Sequence, residues 1–391
     1  MSEKVHYLIK EETLQEIAQA VRNKTNETGE IMVSELANKI NSIEGGGGST
    51  PSNPSALQNE VNFYDYDGTI LYSYTVEEVQ ALTELPPLPT QPGLVCQGWN
   101  YDLATIKSCN RPVNVGATYI TDDGKTRLYI RIAAEGRMTV PLYFQQTVSN
   151  GVTIDWGDGN TTQTLSGTGN VNTTHTYSTI GDYVISLDVG NGCTLVLGYG
   201  SSSYCIMGST SNNGRVYCNM LQKVEIGNNV TSIGTSAFSD CYSLASVVIP
   251  NSVTSIGNNA FYYCYSLASI VIPNSVTSID NYAFSYCHSL ASIVIPDSVT
   301  SIGSGAFYYC YSLASITIPN SVTKIGTSAF KYCYGIAIYD FTSHTSVPTL
   351  SSTNAFSSIP SDCKIRVPAA LYDEWKSATN WSTYASQIVA V

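Results

Sequence analysis

The sequence predicts a mainly β, multidomain protein: a helical N-terminal segment, two small β modules and a C-terminal solenoid with a cap. Three observations predict it. Cysteines 241, 264, 287, 310 and 333 recur every 23 residues, and their surroundings recur with them in copies starting at Leu221, Leu244, Leu267, Leu290 and Leu313. A fixed period of that size marks stacked supersecondary units. Residues 117–200 carry short alternating apolar runs broken by turn residues, the pattern of a β-sandwich. The 391-residue length accommodates two to four such units.

Residues 1–44 are expected to form a helical hairpin. Leu14, Ile17, Ala18 and Val21 fall at three- and four-residue steps within 11–24, and Leu36, Ala37 and Ile40 share a side of a second helix over 33–43. Apolar stripes this narrow make no stable core alone, so self-association or a docking partner is expected. The polar start Met1–His6 leads into the first helix with no apolar core of an export signal. Leu14-Gln-Glu-Ile-Ala-Gln-Ala-Val-Arg-Asn-Lys-Thr25, followed by Ser34-Glu-Leu-Ala-Asn-Lys-Ile40, resembles the N-terminal segment of tail-associated proteins of phages and prophages infecting gut Firmicutes. The resemblance implies attachment to other virion tail proteins through residues 1–44. Residues 45–58, rich in Gly, Ser and Pro, read as a flexible tether.

Residues 59–116 read as a β-grasp-like module. Val61–Tyr74 suits a hairpin turning at Asp67-Gly68, Thr75–Leu82 a short helix, and Pro86–Gly93 an extended connector before Gly98-Trp99-Asn100. This layout resembles the Listeria–Bacteroides repeat of bacterial surface proteins, which implies spacing or adhesion. Asp65-Tyr-Asp67-Gly68-Thr69 also fits the D-x-D-G-T signature of haloacid-dehalogenase phosphotransferases. That chemistry needs a doubly wound sheet and magnesium-binding acids downstream, whereas a proline-rich connector follows here.

Within 117–200, Val152–Asn160, Thr174-His175-Thr-Tyr177 and Gly181–Leu187 resemble the polycystic-kidney-disease (PKD) immunoglobulin-like domain. Asp155 and Asp158 lack the spacing of a calcium loop, and the Gly-Asp-Gly is expected to be a tight turn, so no metal is assigned.

Residues 201–335 are expected to hold the repeats, with 201–220 as their N-terminal cap. In one copy Leu267, Ile270, Ile272, Val276, Ile279, Ala283, Phe284 and Cys287 look committed to the interior, while the alternation at Ile270-Val271-Ile272 turns Val271 outward. Pro273 ends the strand. Burying a large apolar side chain yields about 1.5–3 kcal/mol, whereas fixing each residue's backbone costs about 1–2 kcal/mol, so a single copy must share its faces with neighbours. The pattern resembles the BspA-like subclass of leucine-rich repeats, typical of bacterial surface proteins. Residues 336–391 read as degenerate repeats, echoed at Ala355-Phe356 and Ile365-Arg-Val367-Pro368, plus a capping helix over 369–379.

The cysteine column has neither the spacing of a zinc site nor an even number for pairing, and reads as small buried hydrophobes. Outside it, Cys205–Cys218 and other pairings stay open, because spacing does not fix connectivity. The aromatic rows beside the column suit either padding or recognition. Tyr263, Tyr286, Tyr309 and Tyr332 precede a cysteine; Tyr242, Tyr265, Tyr311 and Tyr334 follow one, His288 completes that row, and Tyr262 and Tyr308 add a partial third. Tyr263, Tyr265, Tyr286, His288, Tyr309, Tyr311 and Tyr332 are the candidate binding residues, since tyrosine offers a stiff contact area with a polar tip.

Charged residues make up 12%, and the net charge of −12 argues against a nucleic-acid partner. No apolar run approaches the ~18 residues of a membrane span. His6, His175, His288 and His344 sit in no catalytic or metal-binding pattern, so neither enzyme activity nor a cofactor is expected. The expected function is host recognition by a phage or prophage tail-fibre protein in the virion, bound to a host cell-surface glycan or protein. A homo-oligomer is expected, with a trimer as one form. The alternative is a bacterial cell-surface adhesin.

Overall fold

The computed structural model describes residues 60–391 apart from 67–68, 102, 109–112, 201–202 and 210–214. The N-terminal helices, the tether, the Asp67-Gly68 turn and Cys109 lie outside the described residues. Residues 59–391 form one compact unit.

The first module comprises β1 (Glu60–Tyr64), β2 (Ile70–Thr75), α1 (Val76–Ala81), β3 (Leu94–Trp99), α2 (Leu103–Ser108) and β4 (Val113–Thr121). Its sheet has the order β2-β1-β4-β3, with β1 parallel to β4 and the outer pairs antiparallel. Thr75 starts α1 through a capping box with Glu78, each side chain bonding the other's backbone N–H. Phe63 is fully buried, with Tyr72, Tyr74 and Trp99 edge-on around it. The expected boundary at 116/117 falls inside β4, which is needed to bridge β1 and β3, so the module runs to Thr121.

A sandwich follows: β5 (Thr126–Ile132), β6 (Thr139–Gln146), β7 (Val152–Asp155), β8 (Gln163–Thr164), β9 (Gly169–Thr176), β10 (Gly181–Val189) and β11 (Leu195–Leu197). Its sheets are β5-β10-β7-β8 and β11-β6-β9. Then come a hairpin, β12 (Tyr204–Cys205) and β13 (Gly208–Ser209), the turn α3 (Arg215–Cys218), and the first rung, β14 (Leu221–Glu225) and β15 (Val230–Ile233). β14 pairs antiparallel with β5, setting Val224 opposite Leu128, and β15 pairs parallel with β11, setting Ile233 opposite Leu197. Both sheets of the sandwich therefore continue into the two strand columns of the solenoid. The cap expected at 201–220 is corrected accordingly: that segment covers a corner, with Ile206 N–H on Ala237 O, and the sandwich closes both columns.

Further rungs place strands at 246–248, 269–271, 292–294, 315–317, 338–340, 364–367 and 388–390 in one column, and at 255–256, 278–279, 301–302, 324–325 and 349–350 in the other. Phe238, Phe261, Phe284, Phe307, Phe330 and Phe356 stack through the interior at 5.2–5.5 Å. The degenerate end keeps this geometry. It closes with a 3-10 turn at Ala369–Leu371 and α4 (Tyr372–Ser377), whose Trp375 packs with Trp381 on Phe341.

The first module lies on the flank of the first column. Val271 points away from the solenoid core as expected, yet Val248, Val271 and Val294 are only 2%, 8% and 7% exposed, because the module covers them. Tyr101 Oη donates to Ile295 O at 2.7 Å and Asn251 N–H to Gln97 Oε1 at 3.0 Å. The module is therefore a docked side piece rather than an extended spacer. Where its cover ends, the same column position turns polar: Glu225 before, and Thr317, Asp340 and Arg366 after.

Candidate functional site

The recurring turn Ala-Phe-x-x-Cys forms one edge of the solenoid. Its backbone bonds run from rung to rung, as in Phe261 N–H to Ala283 O, Tyr263 N–H to Ser285 O and Tyr286 N–H to Tyr308 O. The pairing holds the residue before each cysteine left-handed: φ is 64° at Tyr263, 61° at Tyr286 and Tyr309, and 65° at Tyr332. Asp240 and Ser358 adopt the same conformation at the two ends. For an L-residue this costs about 1–2 kcal/mol, so the backbone itself disfavours tyrosine at all four rungs.

What tyrosine supplies is ring contact. Tyr263, Tyr286, Tyr309 and Tyr332 form a ladder with centroids 4.5, 4.8 and 4.4 Å apart. Beside it Tyr242, Tyr265, His288, Tyr311 and Tyr334 stack at 5.0, 4.6, 4.5 and 5.5 Å, with planes 15–20° apart. Tyr262 and Tyr308 stand edge-on against the first ladder on its other side. Each ring pair contributes about 0.5–1.5 kcal/mol, which offsets the backbone cost without clearly exceeding it.

All seven predicted residues thus lie in one aromatic wall. Burial raises the phenol of Tyr308 to about 12, and burial with neighbouring phenols raises Tyr262 and Tyr286 further, so these three phenols stay protonated at neutral pH. Burial lowers the His288 pKa, and its Nε2 is enclosed without a hydrogen-bond partner. The imidazole is therefore a neutral ring in a tyrosine position.

The most exposed aromatic rings of the solenoid among the described residues are Tyr334 at 52% and Tyr282 at 43%. Tyr334, which the sequence places in the row following the cysteines, ends the second ladder, whereas Tyr282 was missed. Tyr282 lies over the next rung's Gly305, whose missing side chain makes room for the ring. That glycine, 23 residues on from a tyrosine, was the available signal.

Behind the wall the cysteines are fully buried and free. Cys264, Cys287, Cys310 and Cys333 each donate to the phenylalanine carbonyl of the preceding rung at 3.1–3.3 Å. Each thiol thus acts as a small hydrophobe with a weak donor. The column has a member the sequence count missed: Cys218, 23 residues before Cys241, which is disulfide-bonded to Cys205. Cys205, Cys218 and Cys241 have their sulfurs within 4.8 Å of one another.

The other acidic candidates are occupied locally. Asp155 Oδ1 accepts from Gly157 N–H, and Asp158 accepts from Asn160 and pairs with His175 at 2.7 Å, the imidazole lying on Trp156. Gly157 and Gly159 are left-handed, as the expected tight turn requires. Asp65 is buried, accepting from Tyr119 Oη at 2.6 Å, Tyr66 N–H at 2.8 Å and Gln91 Nε2 at 2.5 Å.

Residues 211–337 match the BspA type leucine rich repeat region in six copies, one more than the five counted above. No curated protein matches the chain. Among solved structures it is similar to the leucine-rich repeat protein TpLRR of T. pallidum, at 32% identity and TM-score 0.32 over 35% of this chain and 64% of that one. It is also similar to a leucine-rich repeat protein from Bacteroides ovatus, at 37% identity and TM-score 0.30 over 36% and 38%. A leucine rich cell surface protein from Faecalibacterium prausnitzii aligns at 28% identity and TM-score 0.30 over 40% and 58%. The chain thus spans less than two thirds of each of these proteins.

Proposed function

We propose that this protein is a non-enzymatic recognition protein that grips a cell surface through the aromatic wall of its leucine-rich-repeat solenoid. The wall carries the reading: tyrosine recurs at four rungs where the backbone disfavours it, and ring stacking alone roughly cancels that cost. Contact with a partner supplies the missing selection. In the fuller form of the proposal the chain belongs to a phage or prophage tail. Residues 1–44 would mount it, as a homo-oligomer, on other tail proteins, and a PKD-type sandwich would hold the solenoid rigidly outward to meet a host glycan or protein.

Replacing Tyr263, Tyr286 and Tyr309 with serine is the test. The variant is expected to lose cell binding by at least about tenfold, with a melting temperature lowered only in proportion to the lost ring contacts. Unchanged cell binding refutes the recognition role. Antibody labelling of purified particles and of whole cells tests placement, with signal on particle tails expected.

The second reading is a bacterial cell-surface adhesin, favoured by the BspA type repeats matched over 211–337. It predicts labelling of the cell surface and none of particles.

A further inference from the structure

The first free thiol of the ladder stands apart from the rest. Cys264, Cys287, Cys310 and Cys333 each find a phenylalanine carbonyl on the preceding rung. The equivalent place before Cys241 is held by Arg215, and the Cys241 thiol reaches Ser239 O instead, at a long 3.9 Å. What it faces is two more sulfurs. Cys205 of β12 and Cys218 of α3 bring theirs within 4.8 Å of Cys241 Sγ, and all three side chains are fully buried. The 23-residue period supplies Cys218 and Cys241 while the corner hairpin supplies Cys205, so no sequence spacing announced the trio.

The donor set points to one kind of ligand. Three sulfurs converge, and among the described residues no histidine or carboxylate joins the group. Structural zinc takes four ligands in a tetrahedron, so a zinc ion here would lack its fourth, and full burial keeps water from standing in. Surroundings made of thiolate alone select a softer cation, Cu(I). Thiolates about 2.3 Å from a shared ion stand roughly 4 Å apart in a trigonal plane, inside the limit these sulfurs meet. The Cα atoms of Cys205 and Cys218 are 7.0 Å apart, beyond the ~4.4–6.8 Å usual for a disulfide. Such a separation suits two ligands of one ion.

Independently of the recognition role, we infer that Cys205, Cys218 and Cys241, in their reduced form, are a three-coordinate site for Cu(I). The disulfide and the ion are alternatives. A thiol or phosphine reductant supplies two electrons, two protons complete the thiols of Cys205 and Cys218, and Cu(I) then displaces the three thiol protons to solvent. The ion ties the corner hairpin to the first rung, as the disulfide ties it to α3.

The test uses the full chain, reduced with a phosphine, freed of it without air and titrated with Cu(I) against bicinchoninate. One Cu(I) per chain is expected to leave the competitor, with X-ray absorption at the copper edge showing three sulfur ligands. The chain left oxidised is expected to bind at least about a hundredfold more weakly, and so is reduced Cys241→Ser. Cys96→Ser and Cys287→Ala, which lie outside the trio, are expected to change the affinity less than about twofold. Should Cys241→Ser not fold, the ligand count at copper in the unaltered chain decides. No Cu(I) taken from bicinchoninate, several ions held per chain, or nitrogen or oxygen among the ligands would each overturn the inference. So would equal binding by the oxidised chain or by Cys241→Ser, or loss of binding in Cys96→Ser or Cys287→Ala.

Discussion

Gly116 of β4 lies so close to Val271 that a Cβ built on the glycine would fall 2.6 Å from Val271 Cγ1 and 2.8 Å from Cγ2. This contact sets how closely the first module sits on the solenoid. Gly116→Ala is expected to cost about 1–3 kcal/mol through overpacking. In a Val271→Ala background, which removes both methyl groups, its cost is expected to shrink by at least about 1 kcal/mol. Urea denaturation of the four proteins of this cycle measures the coupling; additive costs would place the module elsewhere.

The ladder thiols should be silent in the folded protein. Cys241, Cys264, Cys287, Cys310 and Cys333 are fully enclosed, and burial pushes each thiol pKa up, to about 12 at Cys333. Only the thiolate is nucleophilic. A maleimide at pH 7 is expected to leave all five unmodified until the chain is unfolded, as read by peptide mass spectrometry. Labelling of native Cys287 would contradict the closed interior.

Those shifts, with the phenols of Tyr129 and Tyr308 raised to about 12 chiefly by burial, also predict alkaline instability. A group whose folded pKa is raised keeps its proton while the unfolded chain loses it. Stability is therefore flat below the unfolded values of 9.0 and 10.0 and declines as pH climbs toward 12. Melting temperatures should hold level from pH 7 to about pH 9 and then fall steadily. A level profile to pH 11 would show these groups to be solvated.

Gly305 has φ of +62° beneath the Tyr282 ring. Gly305→Ala faces both a backbone cost of about 1 kcal/mol and displacement of that ring. Pairing it with Tyr282→Ala should recover the steric part and leave the backbone part, which thermal denaturation of the single and double variants can separate.

The solenoid was legible because its signal is local and repeated: interior residues, strand ends and turns recur at one period, and all seven predicted wall residues stand together. The outward column was equally legible and went unread. Valine at 248, 271 and 294 giving way to Thr317, Asp340 and Arg366 marks where a cover begins and ends. The merging of the sandwich with the first rung was not legible. It rests on pairings such as Val224 with Leu128, nearly a hundred residues apart, and alternation says which face of a strand is apolar but not which strand lies beside it. The left-handed tyrosines were hidden for the opposite reason, since that residue type argues against that conformation.

The docked module covers Val248, Val271 and Val294 on three successive rungs, and the copies beneath and beyond it are nearly interchangeable. Unequal exchange between such similar stretches of coding DNA would add or drop whole rungs past Val294 while preserving both ends. Kindred sequences should therefore differ in the number of rungs that carry the aromatic strip, growing or shrinking it in discrete steps while the docked module stays unchanged.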